Sequence, residues 1–106
     1  MEDVIVVMVT VPSADKGAEI GRALVAERLC ACVNVLPGLR SIYRWEGQVT
    51  EDAEALCLIK TRRSLFEPLR DRVLALHPYS VPEIVALDIT QGSTPYLRWI
   101  VDATRT

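Results

Sequence analysis

The chain has 106 residues, half of them apolar and a quarter charged, enough for one compact domain over residues 1–106 with its own core. Its formal charge of −2, without a basic cluster, excludes a nucleic-acid footprint, and no apolar run is long enough to span a bilayer. Three cysteines, an odd count, and a start, "MEDVIVVMVTV", that lacks the basic and small-residue marks of a secretory signal predict reduced thiols in a cytoplasmic setting.

Residues 3–11, "DVIVVMVTV", are apolar on both parities, which predicts a central strand covered on both faces. Ser13 is placed to cap a helix over 14–28. Ile20, Leu24 and Val25 form its stripe, and Gly17 and Gly21 let its backbone approach a partner closely. "CACVNVLPGLRSIYRW" reads as a strand interrupted at Pro37 and Gly38, which predicts a bulge or kink near a sheet edge. Glu46-Gly47 makes a two-residue hairpin turn, and "VTEDAEALCLIKT" returns as the partner strand. Trp45 then faces Gln48, Arg44 faces Val49, Tyr43 faces Thr50, Ile42 faces Glu51 and Arg40 faces Ala53. On this register Arg40, Arg44 and Glu51 share one face, while Tyr43 and Trp45 share the other, a wall for packing or for a ligand.

Ser64 and Glu67 have the spacing of a capping box for a second helix, with Pro68 in its first turn and Phe66, Leu69, Val73 and Leu76 as its stripe. His77-Pro78 ends it, because a residue before proline is pushed out of the helical region. "EIVALDIT" is a last strand, and Thr94 with Pro95 at the first helical position opens a third helix carrying Leu97, Ile100 and Val101 inward. The order β-α-β-β-α-β-α predicts an α+β, ferredoxin-like split βαβ domain, an antiparallel sheet with helices on one face and a long central hairpin.

Each hairpin arm runs roughly 45 Å at about 3.3 Å per residue, against a radius of gyration of about 13 Å for a domain of this length. Part of the ribbon must project beyond its own helices, carrying Ile42, Tyr43, Trp45 and Val49. An open, half-apolar ribbon invites pairing, and a closed ring of identical subunits satisfies it.

"ERLCACVNVLPGLRSIYRWEGQV", "LCLIKT" and "LHPYSVPEIVALDI" together resemble the CutA family of divalent-cation tolerance proteins, in the same order and spacing over nearly the whole chain. The resemblance implies a ferredoxin-like subunit that assembles as a homotrimer through its long strands. It also implies an association with tolerance of copper and other divalent metals, Cu(II) binding in some members, and no established catalytic reaction. Fold and trimer are similar to those of PII signalling proteins, which bind small molecules between subunits.

His77, the one histidine, is a candidate metal ligand, since imidazole suits copper and zinc. The reading the residues favour is that it closes a helix, donating to a terminal carbonyl. Leu76 and Val9 stand where some family members carry a second histidine and a cysteine, so two donors implied by the resemblance are absent. Cys32 matches the family motif and is the second metal candidate, while Cys30 stands where alanine is usual. As a C-x-C pair they could bind Cu(I) or zinc, but without a second ligand pair the spacing favours a packed helix–strand corner. Cys57, between Leu56 and Leu58, reads as packing. Lys60 and Glu83 are charges in apolar surroundings. With Trp45, Tyr79 and His77 they compose a ligand pocket with aromatic walls between subunits, or else a structural Lys60–Glu83 ion pair.

Phosphate-cradling, dinucleotide, zinc-protease and nucleophile-elbow motifs are all missing, so no enzyme is expected. The expectation is a trimeric, cytoplasmic divalent-cation tolerance protein that binds copper(II) or another divalent metal weakly and needs none to fold. The alternatives are a PII-like sensor of a small anionic or amphipathic molecule, and a non-catalytic trimer that presents a surface to another protein.

Overall fold

The computed structural model describes residues 2–105. Four strands and three α-helices follow one another as β1 (Val4–Val11), α1 (Ala14–Ala26), β2 (Cys32–Trp45), β3 (Gln48–Arg62), α2 (Phe66–Leu76), β4 (Ile84–Asp88) and α3 (Thr94–Ala103). The sheet order is β2-β3-β1-β4, with β1 antiparallel to both β3 and β4, and β2 antiparallel to β3. This is the expected split βαβ arrangement, with α3 appended.

Period-2 alternation sorts the sheet into two faces. Ile5, Val7, Val9 and Val11 of β1 and Ala55, Cys57 and Ile59 of β3 turn toward Ile20 and Leu24 of α1 and Leu69 and Val73 of α2, and all are buried. Gly17 and Gly21 allow that approach, since a Cβ at Gly17 would lie 3.0 Å from Cys57 Sγ and one at Gly21 3.2 Å from Val33 Cβ. A second, smaller cluster of Val4, Ala31, Ile100 and Val101 docks α3 at one end of the sheet. Arg62 ties that helix down, donating from Nε to Thr104 Oγ1 at 2.8 Å and from Nη2 to the Thr104 carbonyl at 3.0 Å.

The opposite face of the sheet is covered only at the end where α3 docks, and beyond it the face is open. Val6, Met8, Leu56 and Leu58 are only partly buried there by their strand neighbours, while Leu36, Val85 and Leu87 stay 41%, 47% and 54% exposed. The strand over 3–11 is therefore central, but beyond Val4, which α3 buries, it is covered by its own helices on one side only. Its apolar character on both parities describes a second cover that this chain does not supply to itself.

The hairpin matches the expected register pair for pair, from Trp45↔Gln48 to Arg40↔Ala53. Glu46 and Gly47 have φ of 50° and 78°, so both turn residues lie in the left-handed region, as a type I′ turn requires. Glutamate tolerates that region less well than asparagine, whose short side chain bonds locally. Glu46→Asn is expected to raise stability by about 0.5–1 kcal/mol, read as a higher urea midpoint with an unchanged slope. At Pro37 and Gly38 the edge strand β2 carries one extra residue between the Leu36↔Leu56 and Leu39↔Glu54 pairs, the expected bulge. Beyond it the ribbon continues outward, with Ile42 64% and Val49 71% exposed, and the molecule extends 45 Å along its longest axis.

Several local expectations are corrected. Ser13 does cap α1, accepting from Lys16 N at 3.1 Å, but the helix ends at Ala26 and Val25 is exposed. Gly17 and Gly21 occupy the buried face in its stead. Ser64 caps nothing: a 3-10 turn over Arg63–Leu65 precedes α2, and the Ser64 hydroxyl donates to Glu2 Oε1 at 2.5 Å. A carboxylate brought in from β1's start outcompetes the local backbone for that hydroxyl. Ser93, not Thr94, is the N-cap residue of α3, and its side chain makes no capping bond. The last strand covers 84–88, shorter than the 83–90 expected.

Candidate functional site

A cleft of about 560 Å³ opens where the hairpin leaves the sheet, on the uncovered face. The register explains its walls. Tyr43 and Trp45 lie on the same face of the ribbon as Asp52 and Glu54, and the loop after α2 adds Tyr79 and Glu83 from the other side. The Tyr79 hydroxyl donates to Glu54 Oε2 at 2.8 Å, and the Tyr43 hydroxyl donates to Asp52 Oδ2. Burial, reinforced by the bond to Glu54, pushes the Tyr79 phenol well above the ordinary tyrosine range. The bond to Asp52 raises the Tyr43 phenol. Both rings therefore stay protonated donors.

His77 supports this wall from behind. It is 7% exposed, with its ring centroid 4.7 Å from that of Tyr79. The Tyr79 backbone N–H donates to Nδ1 at 3.1 Å, which fixes the proton on Nε2, and Nε2 donates to the Thr10 carbonyl at 2.8 Å. His77 thus ends α2, but its ring bonds to β1 and to the following loop, not to the helix's own carbonyls. Both ring nitrogens are engaged, so no lone pair is free for a metal.

The remaining candidates lie elsewhere. Cys32 pairs across the sheet with Lys60, which itself pairs with Val6, four residues along β1 from the Thr10 that His77 holds. That is a separation of about 13 Å along the strand. Cys32 Sγ lies 3.5 Å from the Tyr96 hydroxyl. Lys60 donates to Asn34 Oδ1 and makes no ion pair with Glu83. Of the four expected pocket residues, Trp45, Tyr79 and Glu83 share the cleft, and Lys60 does not line it. Among the described residues, no three His, Cys, Asp or Glu side chains come together as a metal would need.

Asp52, Glu54 and Tyr43 complete the site. The carboxylates were legible in principle. Once Tyr43 faces Thr50, counting by twos along the return strand puts residues 52 and 54 on the Tyr43 and Trp45 face.

The C-x-C residues diverge. Cys30 sits in the helix-side core, 1% exposed, and Cys32 on the open face, so the two cannot chelate together. Burial pushes the Cys30 thiol up to about 12 from the ordinary 9.0, with Cys32 adding a smaller charge effect. The folded chain keeps this proton where the unfolded chain loses it. Its contribution to stability is whole below the unfolded value of 9.0 and is lost as pH climbs toward about 12. The expected result is a wild-type denaturation midpoint that falls across that alkaline window, and a flatter curve for Cys30→Ala.

Among the described residues, no helix is long and apolar enough to cross a membrane. The model of a family described as CutA1 divalent ion tolerance protein matches residues 5–103. A divalent-cation tolerance protein CutA from Thermus thermophilus is 57% identical over 93% of this chain and 96% of its own length. The chloroplastic protein CutA of Arabidopsis thaliana is 52% identical over 95% of this chain, which spans only 56% of that longer protein. The crystal structure of CutA1 from Oryza sativa superimposes with a TM-score of 0.95 at 47% identity, covering 98% of this chain and 95% of that one.

Proposed function

The chain belongs to the CutA1 divalent ion tolerance family, and on that footing we propose that it works as a non-catalytic homotrimer that holds copper(II) or another divalent ion weakly. The observation that carries the assembly is the apolar open face of the sheet, centred on Met8 and Leu58 and bounded by Leu36, Val85 and Leu87. A solvent-facing patch of that kind is what a ring of subunits covers. The unpaired thiols of Cys30, Cys32 and Cys57 fit a reducing compartment such as the cytoplasm.

Weak metal binding follows from the donor set. A divalent ion finds paired carboxylates at Asp52 and Glu54 and must complete its shell with water. Binding at His77 would cost the bond from the Tyr79 backbone N–H. Calorimetry with Cu(II) is expected to give a micromolar or weaker dissociation constant, and a nanomolar one overturns this reading. His77→Ala is expected to lower stability by about 1–3 kcal/mol, because the Thr10 carbonyl loses its donor, yet to change Cu(II) affinity by less than about threefold. A larger loss of affinity puts His77 back among the ligands.

The cleft favours a second reading beside the first: a sensor that binds a small molecule. Aromatic walls with a few placed polar groups are the usual composition of a ligand site. Co-purification of a small molecule with the native protein, read by native mass spectrometry, tests it.

A further inference from the structure

Resting on the sensor reading, we propose that the cleft at the hairpin base selects a small organic cation of the alkylammonium class. Three aromatic rings, Tyr43, Trp45 and Tyr79, and three carboxylates, Asp52, Glu54 and Glu83, line it, and none of its lining residues is basic. Of the anionic or amphipathic molecules expected on the PII likeness, the lining disfavours the anionic ones, because an anion entering here meets only like charge.

The arrangement separates an organic cation from a metal ion. A divalent metal needs several donors converging on one point, and no three-donor group exists among the described residues. An alkylammonium needs dispersed negative charge and apolar walls. Its charged ends bond to carboxylates while its carbon chain lies against ring faces, and rings attract the cation through their quadrupoles. The phenols engage Asp52 Oδ2 and Glu54 Oε2, which leaves the second oxygen of each carboxylate for an N–H donor. Those same bonds hold the two rings in place before any ligand arrives, so little rotamer entropy remains to be lost. Arg40 and Arg44, the nearest basic side chains along the ribbon, lie on its other face, where Arg40 pairs with Glu51 at 3.3 Å and does not neutralise the cleft. The volume of about 560 Å³ accommodates a chain of several carbons rather than a bare ion.

The test titrates the full chain, at low ionic strength, with 1,4-diaminobutane, with 1,4-butanediol and with Mg²⁺. The diol keeps the carbon chain and removes the charge. Magnesium keeps the charge and removes the carbon. Tryptophan fluorescence and calorimetry read binding, and sedimentation of the same samples reads assembly. The diamine is expected to bind at least about tenfold more tightly than either control. The Glu54→Gln/Glu83→Gln double variant is expected to weaken it about tenfold with assembly unchanged. A diol or magnesium affinity equal to that of the diamine overturns the proposal, as does the absence of diamine binding up to about 10 mM. Either failure with the trimer intact strikes the ligand class alone. A monomer that still discriminates diamine from diol strikes the assembly alone.

Discussion

Replacing Leu87 by glutamate is expected to break the proposed trimer into single subunits of 11.8 kDa, measured by sedimentation at micromolar concentration. Leu87 lies on the open face of the edge strand β4, opposite Val6, and is 54% exposed in the isolated chain. A charge at that position costs the subunit's own fold little, since half the side chain already meets water. In an apolar interface the same carboxylate is stripped of water with no partner, at a cost of about 3–5 kcal/mol per copy. Each such increment weakens association by at least about a hundredfold. The subunit's far-UV spectrum should be unchanged, which separates dissociation from unfolding. A trimer that survives Leu87→Glu takes the open face out of the interface, and the assembly would have to be sought along the hairpin edges.

The second large effect concerns the seam between α1 and the sheet. A methyl group at Gly17 would meet Cys57 Sγ at 3.0 Å, Val35 Cγ1 at 3.1 Å and Val11 Cγ2 at 3.2 Å. These three neighbours come from three different strands, so no single side chain can move aside and the helix must lift. Glycine to alanine gains about 1 kcal/mol of helix propensity, and overpacking costs about 1–3 kcal/mol. The balance is expected to be a net loss of about 1 kcal/mol for Gly17→Ala and of at least about 3 kcal/mol for Gly17→Leu. For a domain of this size each kilocalorie lowers the melting temperature by about 4–8 °C. The tightest clash is with sulfur, so Cys57→Ala should partly rescue Gly17→Ala, with a coupling of at least about 0.5 kcal/mol in a double-mutant cycle. Strict additivity would mean that the helix, not the thiol, absorbs the strain.

These contacts also show why some features were legible in the sequence and others were not. The distal hairpin was legible, because Glu46-Gly47 fixes a two-residue turn and the turn fixes the pairs behind it as far as the bulge. The close approach of α1 was legible because only glycines spaced four apart leave such a groove. The Ser64 cap was not, since its competitor, Glu2, lies sixty-two positions away in the chain. Lys60 was joined to Glu83 by chemical character, yet the sheet sets them in different rows, Lys60 beside Val6 and Glu83 beyond the Val9↔Ile84 pair. Row position depends on how distant strands align, which local patterning does not encode. His77 was legible as the end of a helix, but its bond to the Thr10 carbonyl depends on the same long-range alignment.

The extra residue at Pro37 and Gly38 has a consequence for how the ribbon presents itself. Before the bulge the even-numbered residues Cys32, Asn34 and Leu36 look toward the open face, and after it the odd-numbered residues Leu39, Ser41, Tyr43 and Trp45 do. Loss of one codon there would leave Leu39, Ser41, Tyr43 and Trp45 opposite Glu54, Asp52, Thr50 and Gln48, because the Glu46-Gly47 turn sets those pairs. What would go is the local bend and added twist that an unpaired residue imposes on its strand. The bulge thus acts as a hinge pin for the distal arm: it sets the angle at which Tyr43 and Trp45 arrive at the cleft and leaves their chemistry unchanged.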